Sequence, residues 1–282
     1  MSLDMRHEAE STANTRIEPG RSYGFFTDTT LCIGCKACEV ACKEWNQLPA
    51  EDDKLTGMSY DNTRDLSATT WRHVAFVEQM DQGPDAVMPG LQSRWLMMSD
   101  VCKHCDPAPC LEACPTGAIF RTEFDTVVVQ QDICNGCGYC VPACPFGVVD
   151  LDEVDGKAHK CTLCYDRLKG GMEPACSKAC PTDSIQFGAL DDLIQRAHDR
   201  VDALHEGGRT DAYLYGAPDT PGATGGIEKL NAFFLLVDRS EVYNLPLAPT
   251  RPASRTAPAF GTGLAAFAGL ALAAVALLKG RS

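Results

Sequence analysis

The 282-residue chain has no Ser/His/Asp set, no histidine-carboxylate metal site and no G-x-G-x-x-G turn. Its glycine-rich patch, Gly222 to Gly226, does not lead from a strand into a helix, so it cannot cradle a phosphate as such turns do. A chain lacking a nucleophile, a metal-bound water and a phosphate cradle lacks the parts for substrate chemistry. Positive charge is also scarce: 25 Lys and Arg stand against 38 Asp and Glu, a formal net charge of −13. That balance excludes nucleic acid as a partner, because such binding depends on cations that neutralise phosphates. The stretch Met1 to Gly20 is polar and has no apolar h-region, so it reads as a tail rather than a secretory signal.

No cysteine stands alone. The sixteen fall into four groups: Cys32, Cys35, Cys38, Cys42; Cys102, Cys105, Cys110, Cys114; Cys134, Cys137, Cys140, Cys144; and Cys161, Cys164, Cys176, Cys180. The third group, followed by Pro145, is the bacterial ferredoxin run C-x2-C-x2-C-x3-C-P, and the others are variations on it. A disulfide framework needs a small secreted chain with roughly 8–10% cysteine, a density this sequence does not reach. Structural zinc spaces its C-x2-C pairs with a longer knuckle than these consecutive two-residue gaps. A radical enzyme would show an isolated cysteine triplet, and none is left over. A cubane takes four thiolates, so the sixteen ligands predict four [4Fe–4S] clusters. With one-electron carriers and no active site the chain reads as a wire, whose electron donor and acceptor sit on partners.

The cysteine region is duplicated. TLCIGCKACEVAC (Thr30 to Cys42) matches DICNGCGYCVPAC (Asp132 to Cys144) at every cysteine, at Gly34 and Gly136, and at Ala41 and Ala143. APCLEACPTGAI and PACSKACPTDSI match in the same way around Cys114 and Cys180. Between groups two and three, a strand at Ala118 to Arg121, a turn near Glu123 to Asp125 and a β-branched strand at Thr126 to Val129 predict a hairpin. The equivalent strands of the outer groups, YGFFTDTT and DSIQFG, lie at opposite ends of the region, so the outer groups are expected to close on each other around the inner unit.

In two-cluster ferredoxins the fourth cysteine of each run serves the cluster of the other. Here that rule gives Cys32, Cys35, Cys38 with Cys180; Cys161, Cys164, Cys176 with Cys42; Cys102, Cys105, Cys110 with Cys144; and Cys134, Cys137, Cys140 with Cys114. The expected fold is α+β: two interleaved ferredoxin-like two-cluster units, a C-terminal amphipathic helix and a single transmembrane helix. Its divisions are a flexible tail (1–21), an outer unit (22–44 and 158–190), an insertion (45–100), an inner unit (101–157), a C-terminal extension and linker (191–257) and the membrane helix (258–278).

The insertion opens with a polar stretch and continues with WRHVAFVEQ and SRWLMMSD, a predicted hairpin. A long loop of this kind reads either as a docking surface or as a solvated excursion. Leu193, Ala197, Val201 and Leu204 share one helical face that stops at Gly207. His198 and His205 flank that stripe, which suits surface histidines better than ligands. A polar stretch, YGAPDTPGATGG, leads to the apolar strand AFFLLVD and a proline-rich linker from Leu245. Pro258 to Leu278 carries no charge and extends roughly 31 Å as a helix, enough to cross a bilayer once. Gly261, Ala265, Gly269 and Ala273 form a small-residue stripe on it. Arg251 and Arg255 before it balance Lys279 and Arg281 after it, so charge does not orient the span. Lys36, Lys43, Lys103 and Lys178 adjoin cysteines, either raising cluster potentials or serving as ordinary surface lysines.

CIGCKACEVACKEWN, CKHCDPAPCLEACPTGAI, CNGCGYCVPACPFGV and KCTLCYDRLKGGMEPACSKACPTDSI, with VDRSEVYNLPLAP and the C-terminal apolar span, resemble the iron–sulfur beta subunit of respiratory formate dehydrogenases. The resemblance covers roughly residues 22 to 280. It implies a non-catalytic electron-transfer subunit that works between a molybdenum or tungsten molybdopterin alpha subunit and a membrane-embedded, quinone-reducing gamma subunit. It implies export alongside the alpha subunit, which carries a twin-arginine signal, and so a cluster domain on the outer face of the cytoplasmic membrane. Beta subunits of other molybdopterin oxidoreductases and of membrane-bound hydrogenases are the alternative. The nitrate-reductase type, with a tryptophan in place of one ligand, is disfavoured because all sixteen positions here are cysteine.

Overall fold

The computed structural model describes residues 17–50, 55–58, 60–79, 94–217 and 226–279. In chain order the elements are β1 (Tyr23–Asp28), α1 (Ala37–Asn46), β2 (Arg72–Gln79), β3 (Arg94–Val101), α2 (Pro109–Glu112), β4 (Ile119–Arg121), β5 (Val127–Val129), α3 (Cys140–Ala143), β6 (Asp150–Leu151), β7 (Ala158–His159), α4 (Tyr165–Lys169), α5 (Ala175–Lys178), β8 (Ile185–Ala189), α6 (Leu190–Glu206), β9 (Tyr213–Tyr215), β10 (Ala232–Leu236) and α7 (Thr256–Lys279).

Helices and strands are mixed, and the strands form one four-stranded sheet, β8-β1-β10-β9, with three two-stranded ladders. β1 is buried along its whole length, because it lies inside the sheet with cores on both faces. Successive strand side chains point to opposite faces. Phe25 therefore joins one hydrophobic cluster, with Phe187 and Ile185, while Phe26 stacks on Phe233 at 5.5 Å in the other. The ladder from Tyr23–Ala189 to Thr27–Ile185 is antiparallel, so the strands flanking the outermost cysteine groups do pair. Its inner counterpart is the β4–β5 hairpin, from Ile119–Val129 to Arg121–Val127.

The insertion hairpin forms as its alternation predicts, with β2 and β3 antiparallel. Val74, Phe76 and Val101 join the cluster nearer the cysteines, whereas Val77, Leu96 and Met98 join the second. The stretch before the hairpin is tied down at several points. Lys43 Nζ donates to the carbonyls of Pro49 and Thr69, each at 3.1 Å, and Tyr60 packs on Phe76 and Trp95. His73 Nε2 lies 2.8 Å from the Asp61 carboxylate, a buried pair that the sequence did not announce.

α6 buries Leu190, Leu193 and Ala197, leaves Val201 and Leu204 partly covered, and is capped by Gly207. Arg200 fastens it to β1 through the fully buried Asp28, 2.8 Å away. The apolar strand at 232–236 adds to β1 in parallel, a pairing that no local pattern specifies. α7 begins two residues before the predicted span, with Pro258 in its first turn, where a missing N–H costs nothing. Its side chains from 259 to 273 are exposed, so it is not a core helix of this chain, and residues 252–273 are long and apolar enough to cross a membrane. Arg251, just ahead of it, pairs with Glu112 of α2 at 2.7 Å.

Residues 1–16 of the expected tail lie outside the described residues, as do 51–54, 59 and 80–93 of the insertion and 218–225 of the polar stretch. Residues 17–21 dock on the core: Ile17 packs against it and the Gly20 N–H donates to the Glu123 carbonyl at 2.7 Å.

Candidate iron–sulfur sites

The opening C-x-x-C pair of each run turns through a left-handed residue at its second intervening position. Gly34 has φ 66°, His104 46°, Gly136 73° and Leu163 56°. Adjacent right- and left-handed residues aim successive N–H groups into one concavity, which suits an anionic group. A left-handed leucine costs roughly 1–2 kcal/mol, a strain typical of residues held for function. Leu163 is fully buried, and the Leu163 N–H donates to Cys161 Sγ at 3.3 Å. At His104 the imidazole Nδ1 accepts the Val127 N–H at 3.0 Å, which fixes the loop to β5.

The two glycines have a further reason. A Cβ on Gly34 would lie 2.6 Å from Met97 Sδ and 2.7 Å from the Phe76 ring, and one on Gly136 would lie 2.2 Å from the Gly156 carbonyl oxygen. In each half of the duplication the glycine thus meets a hairpin, β2–β3 in the first and the short β6–β7 in the second. The insertion hairpin is the enlarged counterpart of a structure both halves possess.

None of the sixteen cysteines pairs in a disulfide, and they gather across the runs rather than within them. Cys32, Cys35 and Cys38 line one cavity together with Cys180, beside Ser99 and Ile185. Cys102, Cys105 and Cys110 line a second with Cys144, beside Lys103, His104 and Phe146. For the other eight, burial pushes the Cys42 thiol up, reinforced by Cys161, Cys176 and Cys164. Burial likewise pushes Cys140 up to about 11, with Cys134, Cys114 and Cys137 adding to it. Among the described residues no three His, Cys, Asp or Glu side chains gather closely enough to hold a single metal ion. Zinc binds thiolates at about 2.3 Å and needs such a gathering. Thiols spread around a cavity fit a larger, multi-iron body.

Electrostatics and hydrogen bonding agree with that fit. Burial raises Cys38, Cys110 and Cys164 to about 12 each, so these thiols stay neutral until iron supplies the compensating charge. Several sulfurs already receive donors: Ala158 N–H to Cys134 at 3.4 Å, Asn46 Nδ2 to Cys42 at 3.6 Å, and Arg72 to Cys176 at 3.2 Å. Burial opposes the Cys114 thiolate, but the Thr116 hydroxyl and the N–H groups of Ile119, Thr116 and Ala118 outweigh it and lower that thiol.

Of the four lysines singled out by adjacency, Lys178 is an exposed surface residue, Lys36 pairs with Glu39 at 3.6 Å, and Lys43 caps carbonyls. Lys103 alone is deeply buried, salt-bridged to Asp100. Two other buried cations were not among those four. Lys160 is buried beside Cys102, Cys110 and Cys161, and adjacency to Cys161 was a signal for it. Arg72 is thirty residues from either flanking cysteine in sequence, so only the strand pairing brings it in. His205 donates to the Ala212 carbonyl at 2.8 Å, as befits a structural histidine.

Left-handed C-x-x-C loops set on a duplicated strand framework define an iron–sulfur protein of the ferredoxin type. The 4Fe-4S dicluster domain family matches residues 93–190. The iron–sulfur subunit of the nitrate-inducible formate dehydrogenase of Escherichia coli is 40% identical over 224 residues, 79% of this chain and 71% of that one. The formate dehydrogenase-O iron–sulfur subunit of the same organism is 43% identical over 202 residues, 71% and 62% of the two proteins. The B subunit of its anaerobic dimethyl sulfoxide reductase is 36% identical over 177 residues, 63% and 78%. The chain belongs to the family of formate dehydrogenase iron–sulfur subunits, which transfer electrons and are not the catalytic subunits.

Proposed function

We propose that this chain carries electrons through four [4Fe–4S] clusters, from a formate-oxidising molybdenum or tungsten subunit to a membrane-embedded quinone-reducing subunit. The observation that carries the reading is the crossing of the runs: Cys180 closes the cavity of group one and Cys144 that of group two. The ligand sets are Cys32, Cys35, Cys38 and Cys180; Cys161, Cys164, Cys176 and Cys42; Cys102, Cys105, Cys110 and Cys144; and Cys134, Cys137, Cys140 and Cys114. Sets one and two make the outer ferredoxin-like unit (22–44 and 158–190), and sets three and four make the inner unit (101–157). Each cluster, when bound, takes up and releases one electron. The protein's part is to hold the thiolates, exclude water from them and donate N–H bonds to sulfur.

The thiols that influence one another across site boundaries support a linear order. Cys38 neighbours Cys176, Cys161 neighbours Cys102, and Cys110 neighbours Cys140. The series therefore runs from the Cys35 set through the Cys164 set and the Cys105 set to the Cys137 set. Both terminal sets reach the surface. Cys35 is exposed beside Ile33, and Cys137 is exposed near Ile133 and Tyr139. The ion pair between Arg251 and Glu112 supports the inner unit as the membrane-proximal end, because α2 carries Cys110 and α7 follows Arg251. The catalytic subunit then docks at the Cys35 end. α7 crosses the cytoplasmic membrane once, with the cluster domain on the outer face.

The likeness to the dimethyl sulfoxide reductase subunit favours one second reading, the same wire serving another molybdopterin oxidoreductase; a membrane-bound hydrogenase is the remaining variant of it. Anaerobic solubilisation of native membranes, capture of this chain and assay of formate-dependent reduction of a quinone analogue separate the two. Formate activity with a large molybdopterin subunit supports the first reading. A complex that ignores formate but accepts hydrogen or an oxyanion replaces it with the second.

A further inference from the structure

Arg72 is the largest fully buried side chain described, at 1% exposure, and among the described residues no carboxylate pairs with it. An arginine cannot escape burial by losing its proton, so an uncompensated guanidinium in the core needs an anion from elsewhere. Its surroundings supply sulfur. Nη2 donates to Cys176 Sγ at 3.2 Å, and Nη1 donates to the Ser99 carbonyl at 3.2 Å and to Ser99 Oγ at 3.4 Å. Ser99 Oγ lies in turn 3.2 Å from Cys38 Sγ. The Phe25 ring covers the guanidinium at 4.7 Å, and the buried Nε has no partner among the described residues. Cys38 and Cys176 belong to different ligand sets, so one cation stands between two sites.

The register explains how it gets there. In the β2–β3 ladder Arg72 faces Val101 and Val74 faces Ser99, so Arg72, Val74, Ser99 and Val101 share the face turned to α1 and group one. Slipping β2 by one residue against β3 would turn His73 inward in place of Arg72.

We propose that Arg72 is a positioning residue shared by the two outer cluster sites, orienting the Cys176 thiolate directly and the Cys38 thiolate through Ser99. Its fixed charge, unscreened by water, favours the more negative, reduced form of both clusters and so raises both reduction potentials. The inference rests on the ligand sets proposed above.

The test is an EPR-monitored redox titration of the anaerobically purified complex carrying Arg72→Gln, Arg72→Lys or Ser99→Ala, with iron content measured in parallel. For Arg72→Gln, the oxidised-to-reduced ratio at fixed potential should rise at least tenfold for two signals, about 59 mV for a one-electron couple. The other two signals should stay within twofold. Arg72→Lys should shift the same two signals by less, since it keeps the charge and loses the planar fork. Ser99→Ala should shift only one of them. Four signals at full iron content that remain within twofold of wild type in every variant overturn the inference alone. Fewer than four clusters in the wild-type complex overturn the ligand sets, and the inference with them. Should Arg72→Gln fail to assemble, Ser99→Ala decides: one shifted signal supports the inference and none overturns it.

Discussion

A methyl group added at Gly136 tests whether the short β6–β7 hairpin holds the third cysteine run in place. The backbone there has φ 73°, and the added Cβ would sit 2.2 Å from the Gly156 carbonyl oxygen. The left-handed backbone costs roughly 1–2 kcal/mol for any L residue. The clash is with main chain, so no side-chain rotation relieves it, and overpacking of this kind costs about 1–3 kcal/mol more. Gly117 is the control. It has nearly the same φ, 69°, follows Cys114 of the same proposed ligand set, and has nothing within 4 Å of an added Cβ. In the duplicated half its place is taken by Asp183 at φ 52°, so a side chain is tolerated there. The difference between Gly136→Ala and Gly117→Ala is therefore the clash alone, about 1–3 kcal/mol. If iron leaves through local opening of the site, that difference speeds loss roughly 5- to 150-fold. The assay is the rate of iron release to an excess of chelator under anaerobic conditions, read for the fraction belonging to one cluster. Equal rates in the two variants would refute the role of the hairpin.

Asp61 gives a pH prediction. Burial opposes its ionisation, but the Arg64 N–H, the His73 ring and the Thr63 N–H outweigh burial and hold the carboxyl below its usual range. A carboxyl lowered by folding stabilises above its unfolded value near 3.9 and loses that contribution as pH falls through the folded value. Protection of the Thr63 and Arg64 amides in hydrogen exchange should hold from pH 7 to about 5 and fall below about 4. Asp61→Asn should abolish that step, whereas an equal fall in protection in Asp61→Asn would refute the assignment. A chain ended after Arg255 keeps the Arg251–Glu112 pair and loses α7. It should keep its full iron content and lose resistance to alkaline extraction from membranes; continued resistance would show that α7 is not the anchor.

The features legible in the sequence were those with a short-range signature. The cysteine runs, the alternating strands of the insertion, the apolar stripe of α6 and the uncharged span of α7 are each written within a few turns or a strand length. β6, β7 and β9 are two or three residues long, too short for alternation to register. The parallel pairing of β10 with β1 joins segments about 200 residues apart and has no local signal. At the sites, Gly34 and Gly136, noted in the sequence only as matching positions of the duplication, are of the residue type that adopts left-handed turns freely, but His104 and Leu163 hold the same conformation without it. The cations divide in the same way. Lys103 and Lys160 adjoin cysteines in sequence, whereas Arg72 reaches Cys176 only because β2 pairs with β3 in one register.

The count of iron and acid-labile sulfide per chain, in the complex purified without oxygen, tests the central claim most directly. Four [4Fe–4S] clusters require sixteen of each, one iron for every cysteine, and no zinc. Twelve or fewer of each, or zinc in place of iron, would contradict the four-cluster wire.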